Sequence, residues 1–260
     1  MKFSFYPRKQ NLSLIYSSRK AFKSKLFISL IIQSSPKNSL FYRLMKSRVG
    51  SLINSLVKYE IETPSDKAEF IGIYKTNKII LFELKNEIPI KVWKKYDGTE
   101  WVQEDFIGFP LISEYSVREF KEKKQLIENA LTIQWDKVMF NKSNIHGDFT
   151  HFNILYDNNN NIHFIDYKRI DNSILFDFYY FYSYLKQSIY KSKILSVKQK
   201  EEIMTIIESI IIKTCNFDSK DRYLEEYNQL VIPNKCGISD QNRIPFLIDF
   251  FKLFDLTINN

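Results

Sequence analysis

Two short, strand-like runs flank an asparagine-rich segment in the middle of the chain, and this pattern constrains the local fold most. The runs 153–156 and 162–165 are rich in β-branched and aromatic residues, and the segment between them reads Asp-Asn-Asn-Asn-Asn. A polar run of this kind between two strand-like runs favours a tight turn, so we predict an antiparallel hairpin. With that turn at the centre, Asn153 and Asp166 lie opposite each other at the open end.

An acid, an amide and a second acid surround this end of the predicted hairpin. Asp148 precedes Asn153 by five residues, and Asp166 follows Asn153 by thirteen. An amide oxygen beside a carboxylate suits Mg²⁺, a hard cation that takes few protein ligands together with phosphate oxygens. Asp148 is placed to accept the proton of an attacking hydroxyl. The set is what phosphoryl transfer from ATP requires, and the alternative for each residue alone is a polar side chain on a surface hairpin.

The same residues carry a resemblance to a known family. Segment 146–153 reads His-Gly-Asp-Phe-Thr-His-Phe-Asn, and Asp166 lies in Phe-Ile-Asp-Tyr. The spacing from acid to amide is that of a kinase catalytic loop. The His-Gly-Asp form resembles the aminoglycoside phosphotransferase and choline kinase group, over residues 145–182 in particular. The resemblance implies an α+β, bilobal protein-kinase-like fold with a small β-rich lobe and a larger helical lobe that carries the catalytic hairpin.

The resemblance also assigns roles to individual residues. It implies that Asp148 is the base or orients the substrate, and that Asn153 and Asp166 hold magnesium. Asp177, in Leu-Phe-Asp-Phe, matches a later aspartate that braces the catalytic loop. His146 is expected to hold the same loop by hydrogen bonds.

The chain also departs from the family pattern. Lys168 stands where relatives commonly have an acid, although this change removes no required ligand. No glycine-rich loop is visible, because Gly50 and Gly72 are the only glycines of the predicted small lobe before Gly98. The missing glycines favour a non-catalytic, kinase-like protein as an alternative.

Residues 41–108 are predicted to form the small, nucleotide-binding lobe. We predict strands near 44–49, 52–61 and 69–75, a short helix over 76–87, and a hairpin of 89–96 with 101–106 around Asp97-Gly98. The stretch 101–108 resembles the strand and hinge that join the lobes in this family. Backbone groups of Glu104 and Phe106 are therefore expected to hold adenine.

Two lysines compete for the role of binding the phosphates of ATP. Lys75 ends the third predicted strand and leaves room for a helix with Glu83 or Glu87 as its ion-pair partner. Lys91 fits better by local sequence but lies too close to the predicted hinge. We prefer Lys75, and a solvated surface lysine is the alternative for both.

Residues 109–260 are predicted to form a helical catalytic and acceptor-binding lobe around the hairpin. Apolar residues at helical spacing predict helices over 118–140, 175–190, 197–215 and 246–254. Their apolar stripes are expected to form the core. Acids such as Glu225, Glu226 and Asp249 could bind a cationic acceptor, with plain surface placement as the alternative.

The positive charge of the chain is concentrated at its beginning. Residues 1–59 hold twelve Lys and Arg and no acid, so the rest holds 26 of the 38 basic residues and all 30 acids. Residues 1–40 are predicted to be a basic N-terminal extension that can contact anionic lipid. The alternative is that this segment packs on the body of the protein and exposes a solvated basic face.

The remaining sequence features limit the class of protein. Cys215 and Cys236 form no disulfide or metal pattern, so a reducing cytoplasm is expected, with a peripheral position at the inner membrane face as an option. No apolar run near the start is long enough to cross a bilayer.

Three functions compete. The first is an ATP-dependent phosphotransferase acting on a hydroxyl of a small molecule, such as an aminoglycoside, choline, a sugar, or a glycan or lipid precursor. The second is a non-catalytic kinase-like protein that binds nucleotide, membrane or a polyanion. The third, a basic nucleic-acid-binding protein, is disfavoured because the intact Asp148, Asn153 and Asp166 set would then be accidental. The acceptor itself is not predicted by the sequence.

Overall fold

A computed structural model describes residues 1–7, 12–24, 26–27, 59–75, 77–112, 115–168, 170–192, 195–217, 219–231 and 244–258. The chain forms two compact units, Met1–Ile107 and Gly108–Asn260. The first is built on an antiparallel sheet and the second is mostly helical, which confirms the predicted α+β class. Among the described residues, no helix combines the length and apolarity needed to span a membrane.

The first unit contains a seven-stranded antiparallel sheet and a short helix within its described residues. The elements are β1 (Lys2–Pro7), β2 (Leu12–Tyr16), α1 (Arg19–Lys23), β3 (Tyr59–Glu60), β4 (Glu69–Lys75), β5 (Lys78–Lys85), β6 (Ile88–Tyr96) and β7 (Val102–Asp105). The strands lie in the order β3-β1-β2-β4-β5-β6-β7. Strand β7 is therefore one edge of this sheet.

Alternation along the strands gives the sheet a core face. Phe3, Ile15, Phe70 and Leu81 are buried together on that face. Gly72 lies between two of them in register, opposite Ile15 on β2 and Leu81 on β5. A Cβ atom at this position would lie 2.3 Å from the carbonyl oxygen of Ile80, so the close approach of β4 and β5 requires glycine.

The predicted helix over 76–87 is wrong. Residues Lys78–Lys85 form β5, which pairs with β4 on one side and β6 on the other. The segment is rich in β-branched and aromatic residues, and it forms hairpins with the strands directly before and after it, both of which favour a strand. Asn86 and Glu87 then turn the chain with positive φ angles of 54° and 66°. The predicted hairpin of β6 with β7 is confirmed.

The beginning of the chain takes part in this sheet. Strand β2 pairs with β4, from Leu12 opposite Lys75 to Tyr16 opposite Ile71. The prediction treated residues 1–40 as an extension outside the small lobe, whereas β1 and β2 lie inside its sheet. The predicted strand near 44–49 and most of that near 52–61 lie outside the described residues.

The second unit holds a small sheet and six helices within its described residues. The elements are β8 (Phe109–Pro110), α2 (Val117–Glu122), α3 (Lys124–Phe140), a 3₁₀ turn (Lys142–Asn144), β9 (Ile154–Tyr156), β10 (Ile162–Phe164), α4 (Phe176–Lys191), α5 (Val197–Thr214), α6 (Lys220–Val231) and α7 (Ile244–Ile258). The strand order is β10-β9-β8. The predicted hairpin around the asparagine-rich segment is confirmed as β9 and β10.

Helices α4, α5 and α7 overlap the predicted segments, whereas no predicted segment covers α6. The predicted helix over 118–140 is interrupted at Lys123, whose ammonium group binds Glu119 at 2.8 Å and the carbonyl oxygen of Leu111 at 2.7 Å. Helix α4 is buried over most of its length and lies at the centre of the core, as its aromatic sequence predicts. This buried helix carries Asp177 against the loop that precedes β9.

Candidate active site

The hairpin fixes Asn153 relative to the segment that carries Asp166. Its register pairs Ile154 with Phe164, and the N–H of Ile165 donates to the carbonyl oxygen of Asn153 at 3.0 Å. Asn153 is therefore opposite Ile165, one residue before Asp166. The prediction placed Asn153 opposite Asp166, so the observed pairing is shifted by one residue. Asp157 Oδ1 accepts the N–H groups of both Asn159 and Asn161 and tightens the turn.

Asp166 has an unusual backbone conformation. Its φ angle is +59°, in the left-handed region that residues other than glycine seldom occupy. Aspartate and asparagine tolerate this region better than most side chains. The side chain of Asp166 is exposed at the end of the hairpin. Strain of this kind is often retained where a side chain must be held at a functional position.

Asn153 also binds the catalytic loop. Its Nδ2 atom donates to the carbonyl oxygen of Asp148 at 2.8 Å, and its N–H donates to the carbonyl oxygen of Thr150 at 2.9 Å. Because the amide nitrogen is used by the loop, the Oδ1 atom is the one left for a cation. The loop bearing Asp148 and the end of the hairpin are thus joined through one side chain.

Asp177 anchors the start of the same loop from α4. The carboxylate is fully buried and accepts the N–H of His146 at 2.7 Å and the N–H of Gly147 at 3.0 Å. Gln134 on α3 donates to it from Nε2 at 2.7 Å. Burial raises the pKa of Asp177 to about 6, although the three N–H donors act in the opposite direction.

His146 is packed inside the loop rather than turned toward solvent. Its ring stacks on Tyr167 with centroids 4.2 Å apart, and Phe149 contacts it edge-on. The Nδ1 atom accepts the N–H of Asp148 at 3.3 Å, so the ring orients the residue expected to be the base. Burial lowers the pKa of His146, which keeps the ring neutral near pH 7.

Asp148 is paired with a lysine that follows the hairpin. The Nζ atom of Lys168 lies 2.8 Å from Oδ2 of Asp148. The Lys168 side chain is 60% exposed and that of Asp148 is 20% exposed, so the carboxylate is the more enclosed partner. The N–H of Lys168 donates to the carbonyl oxygen of His146 at 2.8 Å, which fixes its backbone beside the loop.

The donor set at the hairpin end fits magnesium in its chemistry. One carboxylate, that of Asp166, and one amide oxygen, that of Asn153, are hard oxygen ligands. Mg²⁺ is typically held in proteins by one or two such groups, with phosphate oxygens and water completing the shell. Within the described ranges, no group of three or more His, Cys, Asp or Glu side chains forms an alternative metal site.

The first unit does not provide the ion pair that was expected for Lys75. This exposed lysine ends β4 opposite Lys78, and the helix that was to carry its acidic partner is strand β5. Glu83 on that strand instead accepts a hydrogen bond from Trp93 Nε1 at 2.9 Å. Lys91, the other candidate, donates to Gln103 Oε1 at 3.4 Å.

The residues expected to hold adenine lie at and beside the edge strand β7. The N–H of Phe106 donates to the carbonyl oxygen of Ile90 at 3.3 Å, and the exposed Glu104 pairs with Lys94 at 2.6 Å. Alternation in an antiparallel pair then turns the backbone of Glu104 toward β6 and that of Gln103 and Asp105 toward the free edge. The adenine contact itself stays a prediction.

Three residues in or beside the loop around Asp148 were not predicted from the sequence to contribute to the site: Gln134, His151 and Tyr115. Gln134 is fully buried in the middle of α3, where nothing in its local sequence distinguishes it from a surface glutamine. His151 is fully buried, and its Nε2 lies 2.8 Å from the hydroxyl of Tyr115. Burial lowers the pKa of His151 to about 3 and raises that of Tyr115 to about 12. A histidine within a catalytic loop suggests function, whereas this one packs inside it.

Two of the acids considered for a cationic acceptor have partners within the chain. Glu226 is buried and binds the N–H of Ile174 at 3.0 Å and the ammonium group of Lys142 at 2.5 Å. Asp249 pairs with Lys186 at 2.9 Å. Both carboxylates therefore have cationic partners within the second unit.

Comparison with known proteins shows a similarity to one family model over part of the chain. A model of the RIO domain matches residues 98–170, which include the catalytic loop, the hairpin and Lys168. No curated protein and no solved structure matches the chain. The expected likeness to the aminoglycoside phosphotransferase and choline kinase group is therefore wrong: the family that matches is an atypical protein kinase family, although both groups share a protein-kinase-like fold.

The match to the RIO domain agrees with the observed fold and indicates the type of reaction. An antiparallel sheet in the first unit and helices in the second are those of a bilobal, kinase-like protein. The RIO domain indicates a kinase-like, ATP-binding phosphotransferase that uses ATP with Mg²⁺. The chain is similar to RIO kinases over the segment in which Asp148, Asn153 and Asp166 lie.

Proposed function

We propose that this chain transfers the γ-phosphoryl group of ATP to a hydroxyl group, with Asp148 as the base. The observation that carries the proposal is that one side-chain and one backbone hydrogen bond join three chain segments. Asn153 binds the carbonyl oxygen of Asp148, and Ile165, next to Asp166, binds the carbonyl oxygen of Asn153. An acid, an amide and a second acid are thereby held in one place, which matches the parts needed for phosphoryl transfer.

Asp148 has the chemistry of a hydroxyl-orienting base. Its carboxylate is partly enclosed, so it can accept the proton of an acceptor hydroxyl while excluding much of the bulk water. The acceptor oxygen then bonds to phosphorus, and the bond to the departing ADP oxygen breaks. Magnesium bound with ATP neutralises the phosphate charge in such a reaction, and Asn153 and Asp166 are the residues proposed to hold it.

Asp177 and His146 are proposed to position the base. Asp177 holds the N–H groups of His146 and Gly147, and the ring of His146 accepts the N–H of Asp148. Neither side chain needs to touch substrate in this arrangement. Their effect is to keep the Asp148 backbone in one conformation, since small displacements of a catalytic group reduce rate strongly.

The acceptor is proposed to be a hydroxyl of a small molecule, such as a sugar or a glycan or lipid precursor. The support is the charge asymmetry of the chain, because a basic surface near anionic lipid would suit a kinase of membrane-bound precursors. The RIO match favours a second candidate, since RIO kinases typically phosphorylate proteins. A serine or threonine hydroxyl of a protein is the acceptor in that case.

The proposal can be tested without knowing the acceptor. Slow hydrolysis of ATP uses water as the acceptor and reports on the same base. We expect Asp148→Asn to reduce hydrolysis by about 10²- to 10⁴-fold while MgATP binding persists, because the base contributes to the chemical step. Asp136→Asn, an exposed carboxylate on α3, is the matched control and should retain hydrolysis.

Transfer to acceptors forms a second arm of the same experiment. Labelled phosphate from γ-labelled ATP would be followed into the protein itself, into added proteins and into a panel of small alcohols. Label that depends on Asp148 and enters only small alcohols favours the first acceptor class, and label only in proteins favours the second. Hydrolysis and transfer equal in wild type and Asp148→Asn would exclude Asp148 as the base.

A further inference from the structure

Lys168 is a cation of the second unit that pairs with the proposed base, Asp148, and follows the predicted metal ligand, Asp166, in the chain. Its ammonium group is 2.8 Å from Asp148 Oδ2, and its backbone follows Asp166 by two residues. The sequence shows a lysine where an acid was expected from relatives, and the comparison gives this lysine no role.

The backbone of Lys168 is fixed, whereas its side chain is largely in solvent. The N–H of Lys168 donates to the carbonyl oxygen of His146 at 2.8 Å, and Ile165 is bound to Asn153 at 3.0 Å. At 60% exposure, the ammonium group is restrained mainly by the Asp148 carboxylate. A four-carbon side chain can move its ammonium group by several ångströms from a fixed backbone, so it can change partner without moving the loop.

Electrostatics favour a move of the Lys168 ammonium group from Asp148 to a phosphate when a phosphate is present. The ion pair is open to water on the lysine side, and solvent competition keeps the contribution of such a pair to stability small. A phosphate group carries more negative charge and more acceptor oxygens, and lysine binds phosphates readily as a point charge. Release of Lys168 would also leave the Asp148 carboxylate able to accept a proton from a hydroxyl.

Some described lysines of the first unit have partners within that unit or lack the partner that was expected. Lys75 lacks the acidic helix that was expected to orient it. Lys94 and Lys95 pair with Glu104 and Glu62 at 2.6 and 2.7 Å. Within the second unit, Lys168 is a cation that lies beside the proposed base.

We infer that Lys168 binds the γ-phosphate of ATP, leaving Asp148 when the nucleotide enters. The inference rests on the proposed function and adds a phosphate-binding residue to it. Because ADP lacks the γ-phosphate, Lys168 should make the protein distinguish ATP from ADP. Lys168 should contribute little to the binding of the adenosine and the α- and β-phosphates, which ATP and ADP share.

The test compares the binding of MgADP with that of a non-hydrolysable MgATP analogue by calorimetry. Lys168→Met removes the ammonium group and keeps an unbranched side chain, Lys168→Arg keeps the charge, and Lys198→Met on the exposed face of α5 is the control. We expect Lys168→Met to weaken binding of the analogue by about 10- to 100-fold with MgADP unchanged, because a charged hydrogen bond is lost. Lys168→Arg and Lys198→Met should keep the preference.

Two kinds of contrary result can be told apart: one contradicts the role of Lys168 alone, and the other contradicts the proposed function as well. If wild type and Lys168→Met prefer the analogue equally, Lys168 does not bind the γ-phosphate, and the proposed function stands. If Lys168→Met instead hydrolyses ATP faster with unchanged preference, the pair with Asp148 is inhibitory and the inference is wrong. If the wild type binds neither nucleotide, the proposed function is wrong and the inference fails with it.

Discussion

The buried carboxylate of Asp177 on α4 accepts the backbone N–H of His146 at 2.7 Å, although the two residues are 31 positions apart. This contact, with that to Gly147, ties the catalytic loop to the most buried helix of the second unit. The loop therefore derives its conformation from the core. Substitutions at Asp177 should affect stability and catalysis together.

The titration of Asp177 gives a testable dependence on pH. Its pKa is raised to about 6 in the folded protein from 3.8, so the folded state holds a proton over an interval in which the unfolded state has lost it. The free energy of unfolding should therefore fall as pH rises through this interval, by about 2 kcal/mol between about pH 4 and pH 7. Asp177→Asn does not titrate and should lack this term.

The measurement is urea unfolding of both proteins at several pH values. The wild type should lose stability relative to Asp177→Asn as pH rises. The variant also loses an acceptor for one buried N–H, which lowers its stability by the same amount at every pH. Stability curves that run parallel would show that Asp177 has an ordinary pKa.

The titration of His151 should make the free energy of unfolding depend on pH in the opposite direction. Burial lowers its pKa to about 3 from 6.5, so the unfolded state binds a proton that the folded state excludes. Its contribution to stability is complete above pH 6.5 and is lost as pH falls, by about 2 kcal/mol between about pH 7.5 and pH 5. His151→Gln keeps a hydrogen-bonding group near Tyr115 and should resist acid better. Equal loss of stability in both proteins over this range would contradict the buried, neutral state.

The two glycines of the first unit that the structure describes should respond differently to alanine. A Cβ at Gly72 would meet the carbonyl oxygen of Ile80 at 2.3 Å, so Gly72→Ala should destabilise the sheet by about 1–3 kcal/mol. Gly98 has open space around its Cβ position and a φ of +72°, so Gly98→Ala should cost only about 1 kcal/mol of backbone strain. Thermal unfolding of both variants would test whether Gly72→Ala is the more destabilising. A loss of stability at Gly72 no larger than that at Gly98 would contradict the requirement for glycine between β4 and β5.

How far the sequence predicts the fold depends on whether local signals decide it. The hairpin of β9 and β10 follows from β-branched strands and an asparagine turn, both of which are local. Strand β5 was wrongly predicted as a helix, although its β-branched and aromatic residues and its hairpin pairing with β4 and β6 are local signals that favour a strand. The pairing of β2 with β4 joins residues about sixty positions apart, and periodicity alone cannot reveal it.

The candidate site divides in the same way. Asp148, Asn153 and Asp166 were predicted from their spacing, and the structure places their segments in contact. Gln134 could not be predicted, because its role depends on where α3 packs against α4. The ion pair of Lys168 with Asp148 depends on the left-handed turn at Asp166, which no propensity predicts for aspartate at this position.

Binding of the N-terminal basic residues to membranes also stays a prediction and needs a design different from deletion. Removing residues 1–40 would remove β1 and β2 and disrupt the sheet. Replacing the exposed Arg19, Lys20 and Lys23 of α1 with serine keeps the fold, since Ala21 and Phe22 provide its buried contacts. Affinity for anionic vesicles should fall by about 100-fold, at about 1 kcal/mol per residue, with Lys198→Ser as control. Unchanged sedimentation with vesicles would contradict this role.

The central claim is a magnesium–nucleotide site at Asn153 and Asp166, and thermal stability tests it most directly. The protein would be heated alone, with ATP, with Mg²⁺ and with both, beside Asp166→Asn, which tolerates the left-handed backbone but lacks the charge. A ligand at about 100 times its Kd raises stability by about 2.7 kcal/mol. The account predicts a rise that requires both ligands and is largely lost in the variant. No rise at millimolar ligand, or an equal rise in Asp166→Asn, would contradict it.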